Sequence, residues 1–151
     1  MNLERRAKWH YMLNEGFVPI LETPMGGGRT IFESRIIMEY LENAYKTDGV
    51  QLYNSCPEDL AAQHLIMKIF DDLASVLFEV IVSHGTSKSG SLKFEKALER
   101  LELLLKESKT PYFLSSPIYS MVDLYGFPHC SRVFYLKGSS LNSVYEDLKI
   151  E

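Results

Sequence analysis

The sequence predicts an α+β chain in which a short β-hairpin with one helix precedes an all-helical bundle. Two apolar, β-prone runs flank a glycine-rich turn, which is the pattern of a hairpin. Apolar residues at helical spacing recur from Ile36 onward, and after Pro57 no strand pattern returns. Between the two parts lies a polar stretch, Lys46 to Cys56, with Asp48-Gly49 and Asn54-Ser55, which suits a linker.

Taken in order, Asn2 to Asn14 mixes Leu3, Ala7, Trp9, Tyr11 and Leu13 with charges and predicts a short irregular helix. Gly16-Phe17-Val18-Pro19-Ile20-Leu21-Glu22 predicts a strand that Pro19 restricts to an edge or an unusual position. The turn Pro24 to Arg29 leads to a second strand, Thr30-Ile31-Phe32. Ile36, Ile37, Tyr40, Leu41 and Ala44 then mark a helix with Ser34 at or near its N-terminus and an end near Tyr45. Pro57 opens a long helix reaching toward His84, with Leu65, Ile69, Leu73, Val76, Leu77 and Val80 as its apolar stripe. Gly85 to Gly90 reads as a flexible break before a second helix marked by Phe94, Ala97, Leu98, Leu101, Leu104 and Leu105, antiparallel to the first. Ser120-Met121-Val122-Asp123 has the capping-box form and opens a third helix, which Pro128 should kink. A loop, Lys137 to Ser140, and a short amphipathic piece, Leu141 to Ile150, close the chain.

The totals narrow the function classes. With 151 residues, 46% of them hydrophobic, the chain can bury a core, and global disorder is excluded. A formal charge of −4 without a basic stripe argues against nucleic acid or an anionic membrane as partner and favours a neutral or zwitterionic small ligand. Cys56 and Cys130 lack CxxC spacing, and His10, His64 and His84 have no partners at metal-ligand spacing, so neither a disulfide framework nor a metal is expected. No apolar stretch is long enough to span a membrane and no leader pattern is visible, so a cytoplasmic protein is expected.

Several pairings invite sharper readings that the residues do not support. Cys56, just before Pro57, could be a thiolate activated by a helix N-terminus, but a linker residue is the simpler account. His129 and Cys130 are adjacent in a helix and cannot face each other, so Cys130 is expected to be a buried structural thiol. Gly26-Gly27-Gly28 lacks the lysine and the helix of a phosphate loop and is expected to be a hairpin turn. The leucines from Leu98 to Leu105 are too few for a zipper and belong to the core.

The ordered motifs resemble the cytosolic glutathione transferases. Gly16 to Glu22 looks like the family's G-L-V-P-V-L-E. Ile31-Phe32-Glu33-Ser34 with Ile37-Met38-Glu39-Tyr40-Leu41 looks like I-x-E-S-x-x-I-x-x-Y-L. Asn2-Leu3, Trp9, and Ser120-Met121-Val122-Asp123 with Pro128 resemble the omega class, and the likeness spans nearly the whole chain. The resemblance implies the C-terminal part of a thioredoxin-like, glutathione-binding domain (hairpin plus helix) over residues 1–47. It implies a truncated transferase C-terminal α-helical domain over residues 57–151.

By the same resemblance, Val18 before a cis Pro19 would pair its backbone with the cysteinyl part of glutathione as an added strand. Ser34 would offer its amide and hydroxyl to the γ-glutamyl carboxylate at a helix N-terminus, and Glu33 would face the α-amino group. Ser120 and Asp123 would serve folding as a cap and touch no ligand. Glutathione is the implied substrate, and a homodimer or another partner chain is possible on family grounds. The implied activity is omega-like glutathione-dependent thiol transfer, dehydroascorbate reduction or conjugation.

The family's first strand-helix-strand unit needs roughly 30 residues, and none of this chain aligns with it. With it goes the nucleophilic cysteine of the omega class, so no catalytic residue is assigned and impaired activity is expected. Glu4 stands where the omega pattern has a lysine for the glycyl carboxylate, although Arg5 or Arg6 is near in sequence, and the C-terminal end is also short of the omega pattern. Two alternatives stay open: a non-catalytic glutathione-binding or protein-interaction scaffold, and a fragment of an incomplete gene model.

Overall fold

The computed structural model describes residues 7–24, 27–137, 139 and 141–147. The readings placed on Asn2, Leu3, Glu4, Arg5, Arg6, Gly26 and Ile150 fall outside them. The chain divides into two compact units, Met1–Gln51 and Leu52–Glu151.

In the first unit, helix α1 (Lys8–Asn14) ends where Glu15 and Gly16 both turn to positive φ, 47° and 82°. The predicted strand shortens to β1 (Ile20–Glu22), because Gly16 to Pro19 belongs to the loop that follows the helix. β1 pairs antiparallel with β2 (Thr30–Phe32) in the register Ile20 to Phe32, Leu21 to Ile31 and Glu22 to Thr30. The ladder is prolonged by buried Thr23, whose amide and hydroxyl both donate to the Arg29 carbonyl at 2.9 and 3.2 Å. Gly27 and Gly28 take φ values of 82° and 72° between the strands, a conformation costly for other residues, so these glycines serve the turn. Helix α2 (Ser34–Ala44) packs against β2 and buries Ile37.

The second unit is helical. Part of the expected linker belongs to it: buried Gln63 accepts from the Asn54 amide at 2.9 Å and donates to the Leu52 carbonyl at 3.2 Å, tying that segment to α3 (Pro57–Val82). The long helix has 26 residues and stops at Ser83, because His84 and Gly85 come next with φ of 50° and 76°. Its buried stripe is Gln63, Ile66, Met67, Ile69, Phe70, Leu73, Leu77 and Val80. Ile69, Leu73, Leu77 and Val80 are buried as expected, whereas Leu65 is 66% exposed and its neighbours Ile66 and Met67 take the inner face.

Helix α4 (Lys88–Glu107) begins well before Phe94, inside the expected flexible break. The Ser87 side chain caps it by accepting from the Gly90 amide at 3.1 Å and itself donates to Glu79 at 2.7 Å. Phe94 and Leu101 are its buried apolar residues, whereas Leu105 is exposed at the outer edge of the stripe.

A 3-10 turn, Phe113–Ser115, leads to α5 (Met121–Phe134), which runs through Pro128. Ser120 and Asp123 form the predicted capping box: the Ser120 amide donates to Asp123 Oδ2 at 2.8 Å and its hydroxyl to the same oxygen at 2.9 Å. Asp123 Oδ1 also accepts from the Phe113 amide at 3.1 Å, so one carboxylate fastens both the helix start and the turn before it. A final helix, α6 (Asn142–Asp147), comes after buried Leu141.

The core of this unit centres on Phe70, which is fully buried. Its ring meets Phe113 edge-on with centroids 5.7 Å apart and stacks with His129 at 6.0 Å. On α5, Gly126 leaves the space that the ring occupies. A Cβ at that position would lie 2.3 Å from Phe70 Cζ and 2.6 Å from Cε2.

Three substitutions test this packing and its cap by urea denaturation. Replacing a helical glycine with alanine ordinarily gains about 1 kcal/mol, but the buried ring cannot swing aside. Gly126→Ala should therefore lose about 2 kcal/mol net. Asp123→Ala removes the acceptor of three donors and should cost about 2–3 kcal/mol, whereas Ser120→Ala, which leaves the carboxylate in place, should cost about 1 kcal/mol.

Candidate functional site

The residues Val18, Pro19, Glu33 and Ser34 all belong to the first unit and sit at one end of its hairpin. Val18 and Pro19 come just before β1, and Glu33 and Ser34 come just after β2, so both pairs lie toward the hairpin end opposite the glycine turn. All four are solvent-exposed, Val18 by 58%. The Val18-Pro19 peptide bond is cis.

The approach to Val18 is fixed by two side chains that sequence reasoning passed over. The carbonyl of Phe17 accepts from Nε2 of buried His10 at 2.9 Å and from the Asn14 side-chain amide at 3.2 Å, while the Phe17 amide donates to the Asn14 carbonyl at 2.6 Å. His10, Asn14 and Phe17 stand four and three residues apart, the spacing of one helix face and the loop after it, and this is the signal that could have found them. They anchor the loop one residue short of Val18. The Val18 amide and carbonyl make no hydrogen bond to a described residue, and an exposed main chain of this kind can accept an extended ligand backbone.

Glu33 takes φ 70° and ψ 114°, a conformation that residues with a Cβ seldom adopt. It turns the chain abruptly from β2 into α2, and its carbonyl accepts the first helical bond, from the Ile37 amide at 2.9 Å. Its side chain makes no capping bond to the helix. Ser34 is the first helical residue, so its amide has no acceptor within the helix. An exposed carboxylate, an exposed hydroxyl and unpaired main-chain donors and acceptors thus converge on a surface that suits a small zwitterion bearing peptide groups.

The remaining sequence-level candidates lie in the second unit. Ser120 and Asp123 are internal to the cap. Cys56 is exposed, its amide donates to Asn54 Oδ1 at 3.0 Å and its thiol to Glu58 Oε2 at 3.0 Å. That thiol bond, and after it Glu58's own amide, holds the Glu58 carboxyl below its ordinary value. Cys130, expected to be a buried structural thiol, is half-buried, and desolvation pushes its thiol up, away from the reactive thiolate. Among the described residues no group of three metal-ligating side chains is assembled. No helix of the described chain is long and apolar enough to cross a membrane.

No family model matches the chain. Glutathione S-transferase omega-1 of Sus scrofa is 32% identical over 136 residues, 88% of this chain and 54% of that protein. A glutathione S-transferase of Hyoscyamus muticus is 28% identical over 144 residues, 87% of this chain and 64% of its own length. The chain therefore spans only part of these relatives. In fold it is similar to glutathione transferase Omega 3C from Trametes versicolor, with a TM-score of 0.72 at 19% identity, covering 100% of this chain and 68% of that one. It is similar also to glutathione S-transferase 1-6 from Anopheles dirus species B, with a TM-score of 0.67 at 19% identity, over 91% and 73% of the two chains. The shared architecture is the hairpin-plus-helix portion of a thioredoxin-like unit with a helical bundle after it, and in sequence and fold the chain resembles the glutathione transferases, the omega class among them.

Proposed function

We propose that residues 1–47 form a glutathione-binding surface and that the chain takes part in glutathione transferase chemistry of the omega type, namely thiol transfer, dehydroascorbate reduction or conjugation. The observation that carries this reading is the hairpin register, which gathers Val18 and Ser34 at one end with Glu33 between strand and helix. The Val18 amide and carbonyl pair with the cysteinyl main chain of glutathione, as a short added strand. The Ser34 amide and hydroxyl receive the γ-glutamyl carboxylate, helped by the N-terminal dipole of α2. Glu33 faces the α-amino group as an ion pair.

These four residues bind and orient, and none is assigned a bond-making role. The same division supports a second reading, a non-catalytic glutathione-binding scaffold. Transferase and thiol-reductase assays with the chain alone separate the two: turnover above background supports the enzyme, and binding without turnover supports the scaffold. A cytoplasmic setting and a homodimer belong to the proposal on family grounds.

Positive φ at a non-glycine residue costs on the order of 1–3 kcal/mol and concentrates at ligand sites. Glu33→Gly should accordingly leave stability unchanged or raise it by about 1 kcal/mol, after the entropy of the new glycine is deducted, while glutathione affinity falls. Thermal unfolding and titration calorimetry read the two effects.

Calorimetry should detect glutathione binding by the intact chain, and Ser34→Ala should weaken it by about tenfold, the loss of one charge-assisted hydrogen bond. Cysteinylglycine, which lacks the γ-glutamyl group, should bind more weakly and be indifferent to Ser34→Ala. Absence of heat at millimolar glutathione would overturn the assignment.

A further inference from the structure

The contact between α3 and α5 contains a group of titratable side chains that the glutathione site does not use. The Tyr125 hydroxyl on α5 donates to Asp71 Oδ1 on α3. One turn further along α5, the His129 ring lies 5.3 Å from the Tyr125 ring and stacks on Phe70, 6.0 Å away at 21°. His129 Nδ1 is buried and has no hydrogen-bond partner.

We propose that Asp71, Tyr125 and His129 form an acid-sensitive latch between α3 and α5: with the His129 ring neutral, Tyr125 holds Asp71 and the helices stay closed, and with the ring charged, Asp71 is drawn from Tyr125 and the contact loosens. A neutral imidazole can lie flat on Phe70 at little cost. A charged one places a second N–H donor in the core where Nδ1 has no acceptor, a burial cost that the attraction of the Phe70 face for a cation only partly offsets. The charges that act on it are Arg132, on its own helix, which opposes protonation, and Asp71, on α3, which favours it. The 3-10 turn packed on α3 brings only the Phe113 ring to this stack, and α4 brings no charge to His129 among the described residues.

Asp71 is therefore the group that can compensate the imidazolium, and its Oδ1 is already engaged by Tyr125. Burial, then Arg132, holds His129 below its ordinary value despite the opposing pull of Asp71. The unfolded ring, with its ordinary value near 6.5, takes up a proton that the folded ring refuses. Stability from this group is complete above about pH 6.5 and declines as pH falls below it.

The test uses the whole chain. Urea unfolding between pH 8 and pH 5 should show the wild-type unfolding constant rising on acidification more steeply than that of His129→Phe, which keeps the stacked ring. The excess is bounded at about tenfold per pH unit, the limit for one proton. In parallel, NMR titration with 13C-labelled histidine, following the imidazole that contacts the Phe70 ring, should place His129 below an ordinary histidine in the wild type. Tyr125→Phe, which removes the hydroxyl bonded to Asp71 Oδ1, should move that titration upward, an effect that a purely structural tyrosine would not produce. Equal acid slopes for wild type and His129→Phe would overturn the latch. So would a His129 titration at or above the ordinary value, or one that Tyr125→Phe leaves unmoved. Glutathione binding enters none of these readouts.

Discussion

The helical unit depends on one close approach, the ring of Phe70 lying over the backbone of α5 at Gly126. Without a side chain at Gly126 the ring packs against the helix backbone, and it meets Phe113 and His129 as well. Aromatic contacts of this kind bring quadrupole attraction in addition to buried area. The approach also constrains the chain between Phe113 and α5. The turn must lie close to the start of that helix, and Asp123 answers by taking the Phe113 amide along with the Ser120 amide and hydroxyl. Packing and capping are thus one arrangement, with a side chain missing at one residue and a carboxylate shared at another.

The same geometry produces the acid sensitivity inferred for α3 and α5. A core that buries Nδ1 of His129 without an acceptor tolerates the neutral ring and resists the charged one, and a carboxylate already held by a tyrosine is poorly placed to answer the new charge. Dense packing makes such contacts discrete, because a core has no room to adjust gradually.

In the first unit the governing constraint is local. Two three-residue strands make a hairpin too small to be stable by itself in water, and its ends are held by specific bonds: Thr23 to Arg29 at the turn, His10 and Asn14 to Phe17 at the other end. Between these anchors the main chain of Val18 is left exposed and Glu33 is driven into a rare conformation. Ordered surroundings that hold unpaired main-chain groups outward are what a peptide-like ligand requires, since the ordering cost is met before the ligand arrives.

Much of this was legible in the sequence. Glycine and proline placed the turns, the polar stretch Lys46 to Cys56 contains the division between the units, and Ser120 with Asp123 marked the start of α5 by their spacing alone. Val18, Pro19, Glu33 and Ser34 stood out because their motifs resemble those of the glutathione transferases. Other features were beyond it. Ser87, eight residues from Glu79, moved the start of α4 back into an expected loop, and the buried side of α3 excluded Leu65 in favour of its neighbours. The shared carboxylate of Asp123, the Phe17 anchor and the Asp71–Tyr125–His129 group join residues whose proximity no local pattern encodes. Sequence alone determined where the chain turns, coils and presents its polar ends, because those choices are made within a few residues by sterics and hydrogen bonding. Tertiary structure decided which face of each helix is buried and which distant side chains meet, because those depend on volumes and partners supplied from elsewhere in the chain.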